Sequence, residues 1–141
     1  IFIAQIKLAK KFNKPLIVHI RDANDDSKTI LLQHEASKVG GVLHCFNASP
    51  HLLELANNNF YFGIGGIITF KNAKNLTKIL PKIPKDKLLV ETDAPYLAPH
   101  PFRGKRNEPQ YTTFVIEKIA NILNISIKNA QDITTNNAKK L

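Results

Sequence analysis

The chain has 141 residues, of which 43% are hydrophobic, and it carries a formal net charge of +9. This composition can supply one compact core, and it excludes a disordered chain or a collagen-like repeat. No run approaches the ~18 apolar residues of a membrane span, and the first residues have the pattern of an amphipathic helix and not of a signal peptide, so a soluble, cytoplasmic protein without a membrane partner is expected.

Strand-like and helix-like segments alternate along the chain. In chain order, the pattern predicts a helix at 1–12, a strand at 16–20, a helix at 25–38, a strand at 42–46, a helix at 50–58, a strand at 60–64, a helix at 73–80, a strand at 87–92 and helices at 110–123 and 127–139. Such alternation predicts an α/β fold in which helices cover a parallel sheet. A doubly wound open sheet and part of an eight-stranded barrel both fit this pattern.

Three polar residues come at or near the ends of predicted strands. His19 lies near the end of the first, His44 occupies the same level in the second, and Asp93 follows the fourth. Because parallel strands end at one rim, these side chains are expected to converge there and to form a site for a divalent metal ion. The alternative for each histidine is an ordinary hydrogen-bonded residue of the core.

Other titratable residues near the strands have simpler interpretations. Glu91 lies one layer deeper than Asp93, and a structural ion pair with Arg21 or another cation is expected for it. His34 and His51 fall in helical surface stretches and are expected to be solvated. The single cysteine, Cys45, cannot form an internal disulfide and is expected to be a buried, inert thiol.

A proline-rich loop over residues 93–109 is longer than ordinary connections, which indicates a functional role. It is rich in cations and hydrogen-bond donors. A phosphate group is the ligand that such a set favours, so substrate contacts are predicted for Arg21 after the first strand and for the loop residues His100, Arg103, Lys105, Arg106 and Asn107. The alternative is a solvated basic loop, and most of the remaining positive charge is lysine spread over helix surfaces.

Several long segments together resemble one known family over essentially the whole chain. The segments KPLIVHIRDA, GVLHCFNAS, YFGIGGIITFKNA, LLVETDAPYLAPHPFRGKRNEP and TTNNAKKL are similar to the TatD family of metal-dependent deoxyribonucleases. The resemblance implies a TIM-type (β/α)8 barrel, of which this chain would be the C-terminal half, with about four parallel strands and flanking helices. It also implies hydrolysis of DNA phosphodiester bonds, with 3′ to 5′ exonuclease polarity, by a monomer that holds two divalent ions per full-length subunit. Mg, Mn and Zn are not distinguished.

The resemblance assigns roles to individual residues. His19 and His44 match the family's metal ligands on the fifth and sixth strands. Asp93 matches the catalytic carboxylate after the last strand, which binds metal and handles the proton of the attacking water. The family's first half supplies a His-x-His pair and a glutamate, and no His-x-His occurs here. Residues 1–141 are therefore expected to be one domain, the C-terminal part of the barrel, which binds metal weakly and is inactive by itself.

Two rival functions remain open from the sequence. One is a metal-dependent deacylase or amidohydrolase of the same superfamily, because the ligand set does not select phosphodiesters. The other is a non-catalytic remnant that binds nucleic acid through its positive charge.

Overall fold

The computed structural model describes residues 1–141 as four strands, five α-helices and several short 3₁₀ turns. In chain order, the main elements are α1 (Phe2–Phe12), β1 (Leu16–His19), α2 (Asn24–Gln33), β2 (Gly41–His44), β3 (Phe60–Ile64), α3 (Lys74–Ile79), β4 (Leu88–Val90), α4 (Thr112–Leu123) and α5 (Ile127–Ala138). No helix combines the length and the apolar character that crossing a membrane requires.

The four strands form one parallel sheet in the order β1-β2-β3-β4. Their C-terminal ends therefore lie at one edge, as parallel connections through helices require. In the register of β1 and β2, His19 lies opposite His44. The expected α/β class, with about four parallel strands and flanking helices, is confirmed.

The core lies between one face of the sheet and the helices. Alternate residues of the strands point into it, including Val18, Leu43, Phe62 and Leu88, all of which are buried. The rings of Phe46 and Phe62 meet edge to face with their centroids 4.9 Å apart. Since side chains alternate along a strand, the intervening residues must face the other side of the sheet.

The opposite face of the sheet carries little apolar packing. Val42, Tyr61 and Leu89 form a small separate buried cluster on it, whereas Ile17 is 79% exposed. His19, His44 and the acidic residues after β4 belong to the same side. The polar side chains therefore collect on the face of the sheet that the main core leaves free.

Two predicted helices differ from the structure. The helix predicted at 25–38 ends at Gln33, because Glu35 has a positive φ of 52° and a 3₁₀ turn follows over Ala36–Lys38. Ion pairs from Lys10 and Lys38 to Glu35 hold this corner. The segment predicted as a helix at 50–58 is a 3₁₀ helix over Pro50–Asn58, and Asn59, the residue after it, is also left-handed. Tertiary contacts and chain reversals override the helical pattern at both places.

Candidate metal centre

His44 lies between two carboxylates at the C-terminal edge of the sheet. His44 is the last residue of β2. Glu91 and Asp93 come after β4, whose C-terminal end lies at the same edge of the sheet. Nδ1 of His44 is 2.8 Å from Oε2 of Glu91, and Nε2 is 3.0 Å from Oδ1 of Asp93. One donor atom from each of the three residues lies within 4.8 Å of the others, a spacing that a single metal ion can bridge.

The position of Glu91 is fixed by the backbone around it. Its Oε1 accepts a hydrogen bond from the amide of Cys45, the residue after His44. Its carboxylate also lies so close to Gly63 in β3 that a Cβ atom there would overlap it. Two residues on, a Cβ on Gly65 would lie 3.4 Å from Oδ2 of Asp93. Gly63 in β3 thus makes room for the carboxylate of Glu91, whereas a Cβ atom at Gly65 would only be in ordinary van der Waals contact with Asp93.

The pKa values of His44 and Glu91 are both raised in the folded chain. Burial by itself lowers the pKa of His44, but the hydrogen bond and charge of Glu91, together with the charge of Asp93, outweigh it and raise the pKa. Burial raises the pKa of Glu91, although its bonds to His44 and the Cys45 amide oppose this. The space between the carboxylates therefore favours a positive charge, either a proton or a metal ion.

One atom of the site lacks a protein partner. Oδ2 of Asp93 is buried and makes no hydrogen bond. A buried polar oxygen without a partner is destabilising, and native structures rarely leave one. A divalent ion bound by Asp93 and Nε2 of His44 would satisfy it, and nitrogen with carboxylate oxygen suits such an ion. Glu91 on Nδ1 would then orient the ring, as carboxylates commonly do for metal-bound histidines.

His19 completes the predicted set at a greater distance. Its ring centroid is 6.0 Å from that of His44, and its side chain is exposed. The structure thus brings His19, His44 and Asp93 to the same edge, with His44 and Asp93 in direct contact. No other protein group forms a hydrogen bond with the His19 ring, so its nitrogens are free to bind a ligand.

Of the two kinds of partner expected for Glu91, Arg21 or another cation, the structure excludes Arg21. Glu91 contacts His44 instead, and the Arg21 side chain is 85% exposed, with its Nε 3.8 Å from Asp22. The sequence reasoning therefore missed Glu91 as a member of the centre. The signal for it was the strict alternation of Leu89, Glu91 and Asp93 beside the glycine-rich segment at 63–66.

The long loop carries its cations at the surface. Phe102 stacks on Tyr111 at 4.3 Å between centroids and anchors the loop to the start of α4. The guanidinium of Arg103 lies 4.2 Å from the ring centroid of Phe70, whose face it covers. The ring of His100 meets the same phenylalanine edge-on at 6.2 Å, and its backbone amide donates to Thr69. Lys105 and Arg106 are exposed beside Gly104.

Asn107 has a different role from the predicted one. It is 3% exposed, and its Nδ2 donates to Oγ1 of Thr92 at 3.0 Å and to the carbonyl of Tyr96 at 2.7 Å. Its Oδ1 accepts the amide of Glu108. Because both amide hydrogens are used inside the loop, the structure replaces the expected substrate contact with a bracing role.

Comparison with known proteins places the chain among the TatD proteins. The family model described as TatD related DNase matches residues 1–141. The chain is 49% identical to YabD of Bacillus subtilis over its whole length, covering 56% of that protein. It is 41% identical to YcfH of Escherichia coli K12, with 99% of this chain and 53% of that one covered. Both relatives are described as uncharacterized metal-dependent hydrolases.

Solved structures share the fold. The TatD homologue YjjV of Escherichia coli K12 matches with a TM-score of 0.82 and 30% identity over 95% of this chain and 52% of that one. A TatD family hydrolase of Entamoeba histolytica gives a TM-score of 0.82 at 19% identity, over 96% and 53% of the two chains, and supports the fold alone. These neighbours are TIM barrels, so the four-stranded sheet is part of that architecture. The chain spans about half the length of the relatives it matches, and it belongs to the TatD-related DNase family.

Proposed function

We propose that the full-length gene product is a divalent-metal-dependent phosphodiesterase that hydrolyses DNA from the 3′ end, as a cytoplasmic monomer. The observation that carries this proposal is the buried, unpartnered Oδ2 of Asp93 next to Nε2 of His44, at the strand ends where barrel enzymes hold their reactive groups. The family membership and the relatives' description as metal-dependent hydrolases support the same reaction class.

Different residues of the chain have different roles in the proposed hydrolysis. A bound divalent ion supplies Lewis-acid polarisation and lowers the pKa of water. Asp93, partly buried at the centre with its Oδ2 fully enclosed, would receive the proton of the water that attacks phosphorus. Glu91 holds His44 in the orientation that leaves Nε2 facing the site. His19, the last residue of β1, would add a further nitrogen ligand for a metal ion on that side of the centre.

The charges around the centre support a phosphodiester as substrate. The salt bridges of the structure leave Arg103, Lys105 and Arg106 without an acidic partner. Unpaired, exposed cations on a braced loop suit the oxygens of a phosphate, which carries the charge that a neutral ester or amide lacks. This observation favours DNA over the acyl substrates of the rival deacylase.

The test is a cleavage assay on the metal-reconstituted full-length gene product. Oligonucleotides labelled at either end report the direction of cleavage. Aminoacyl esters and small amides are assayed in parallel. We expect divalent-metal-dependent loss of nucleotides from the 3′ end and a rate at least ~100-fold lower in Asp93→Asn. The control is Asp132→Asn, an exposed carboxylate paired with Lys128 on α5. Preferred cleavage of acyl substrates, or full activity in Asp93→Asn, would refute the proposal.

A further inference from the structure

A second basic surface lies between α3, α4 and the segment that follows β3. A groove of about 400 Å³ is bordered there by eight residues, of which four are lysines. We call it the lysine groove, and its lining consists of Thr69, Phe70, Lys71, Ala73, Lys74, Thr77, Lys78 and Lys118. Nothing in the cleavage chemistry described above uses these lysines.

The groove concentrates positive charge without compensation. None of its lining residues is acidic, and none of its four lysines takes part in a salt bridge. Lys118, on α4, is partly buried, while Lys74 and Lys78 are exposed one turn apart on α3. Like charges gathered in a concave, partly desolvated surface raise the local potential, and a bound polyanion would offset their repulsion.

The lysine groove adjoins, through Phe70, the loop that borders the metal centre. Phe70 lines the groove, and it also carries the guanidinium of Arg103 on its face and the ring of His100 at its edge. The backbone connects the two places directly, because Gly65 lies beside Asp93 and Phe70 follows five residues later. Five residues span at most about 18 Å, so the groove begins only a few nucleotides from the centre.

We propose that the lysine groove holds the phosphodiester backbone of a nucleic-acid strand whose end lies at the metal centre. A row of cations along a groove matches the repeated charges of such a strand better than a single phosphate. The hydroxyl groups of Thr69 and Thr77 already bond backbone carbonyls, so recognition there is mainly electrostatic and independent of base sequence. The link to cleavage rests on the proposed function, whereas strand binding does not.

The experiment compares two triple variants of the full-length gene product. The groove variant is Lys74→Gln/Lys78→Gln/Lys118→Gln. The control is Lys85→Gln/Lys139→Gln/Lys140→Gln, which removes the same charge from exposed positions near the start of β4 and the end of α5. Binding of a fluorescein-labelled 12-nucleotide strand is followed by anisotropy over a range of salt concentrations with EDTA present, so that no strand is cleaved.

The expected result is a loss confined to the groove variant. Its affinity should fall by at least ~10-fold, and the slope of log K against log salt should shrink by about 2, since each phosphate contact on a single strand contributes about 0.7. Hydrolysis of bis-p-nitrophenyl phosphate, too small to reach the groove, should be unchanged. Equal losses in both variants, no loss in the groove variant, or no binding by the unmodified protein would each overturn the proposal. Absence of DNA cleavage with intact, groove-dependent binding would refute the proposed function alone.

Discussion

The carboxylate of Glu91 fills the space that a side chain at Gly63 would need. Gly63 is therefore part of the metal centre although it contributes no ligand atom. The observed hydrogen bond from Nδ1 of His44 to Glu91 therefore requires that residue 63 have no side chain. Three neighbouring strands thus meet at one side-chain contact.

Replacement of Gly63 by alanine is expected to displace Glu91 and to loosen His44. The overlap should lower the free energy of unfolding by about 1–3 kcal/mol, as overpacking in tight sites commonly does. Metal affinity, measured by calorimetry, should fall as well. In a double-mutant cycle with Glu91→Ala, which removes the overlapping group, the two destabilisations should be less than additive. If the two destabilisations were strictly additive, the overlap at residue 63 would have to be relieved by movement of groups other than Glu91.

Glu91→Gln is expected to weaken metal binding without unfolding the chain. The amide keeps the shape of the side chain but loses the charge that orients His44, and loss of such an outer partner typically costs 10–100-fold in affinity. Titration with Zn²⁺ or Mn²⁺ measures the effect. Glu54→Gln serves as the control, because that carboxylate pairs with Lys28 and with none of the residues of the metal centre. Unchanged affinity in Glu91→Gln would contradict the orienting role.

The two histidines are expected to differ in their structural importance. His19→Ala removes an exposed ring that makes no hydrogen bond, so the free energy of unfolding should change by less than about 0.5 kcal/mol. His44→Ala leaves the largely buried carboxylate of Glu91 without its side-chain partner and should destabilise by about 1–3 kcal/mol. Both variants should bind metal more weakly than the parent. Urea unfolding without metal separates them, and similar losses of stability in both would contradict the assignment.

The metal-free protein is expected to lose stability as the pH rises. The pKa of His44 is raised in the folded chain, so its contribution is complete below the unfolded value near 6.5 and disappears as the pH passes the folded pKa. The raised pKa of Glu91 acts in the same sense, because burial disfavours its charged form. Urea unfolding in EDTA at pH 5.5 and pH 8 should show the decrease, with a smaller one in His44→Gln. A bound metal ion should reverse the trend, since it competes with the proton on Nε2.

The Cys45 thiol is expected to resist alkylation in the folded protein. Burial, reinforced by the charges of Asp93 and Glu91, raises its pKa to about 12 from an ordinary value of 9.0. Because the thiolate is the reactive form, its population at pH 8 should be roughly 10³-fold lower than in the unfolded chain. Iodoacetamide labelling with and without urea measures this ratio. Comparable labelling rates in both states would exclude a perturbed thiol.

The sequence predicted the sheet and the edge where the site lies. Strand alternation and the apolar runs located all four strands, and the shared level of His19 and His44 agrees with their observed pairing. These features depend on local periodicity, which sequence reveals. Periodicity could not distinguish a barrel from an open sheet, because parallel strands are buried on both faces in either fold. The family resemblance was needed to make that distinction.

The partners of Glu91 and Asn107 could not be predicted. Each depends on the position of backbone groups contributed by distant segments: the Cys45 amide for Glu91, and the Tyr96 carbonyl within a folded loop for Asn107. Local patterns do not encode such contacts. The end of α2 at Gln33 belongs to the same class, since Lys10 of α1 pairs with Glu35 at the corner, beside the local pair of Glu35 with Lys38.

The direct pairing of His19 with His44 has a consequence for how the sheet assembles. A slip of β1 by one residue would turn His19 to the opposite face and leave His44 alone at the edge. Only the native alignment offers both imidazoles to one ion, so an ion that binds both discriminates against misaligned chains. Metal binding would thus stabilise the native register of β1 and β2 over shifted registers during folding. Added metal would therefore increase the fraction of correctly paired sheet.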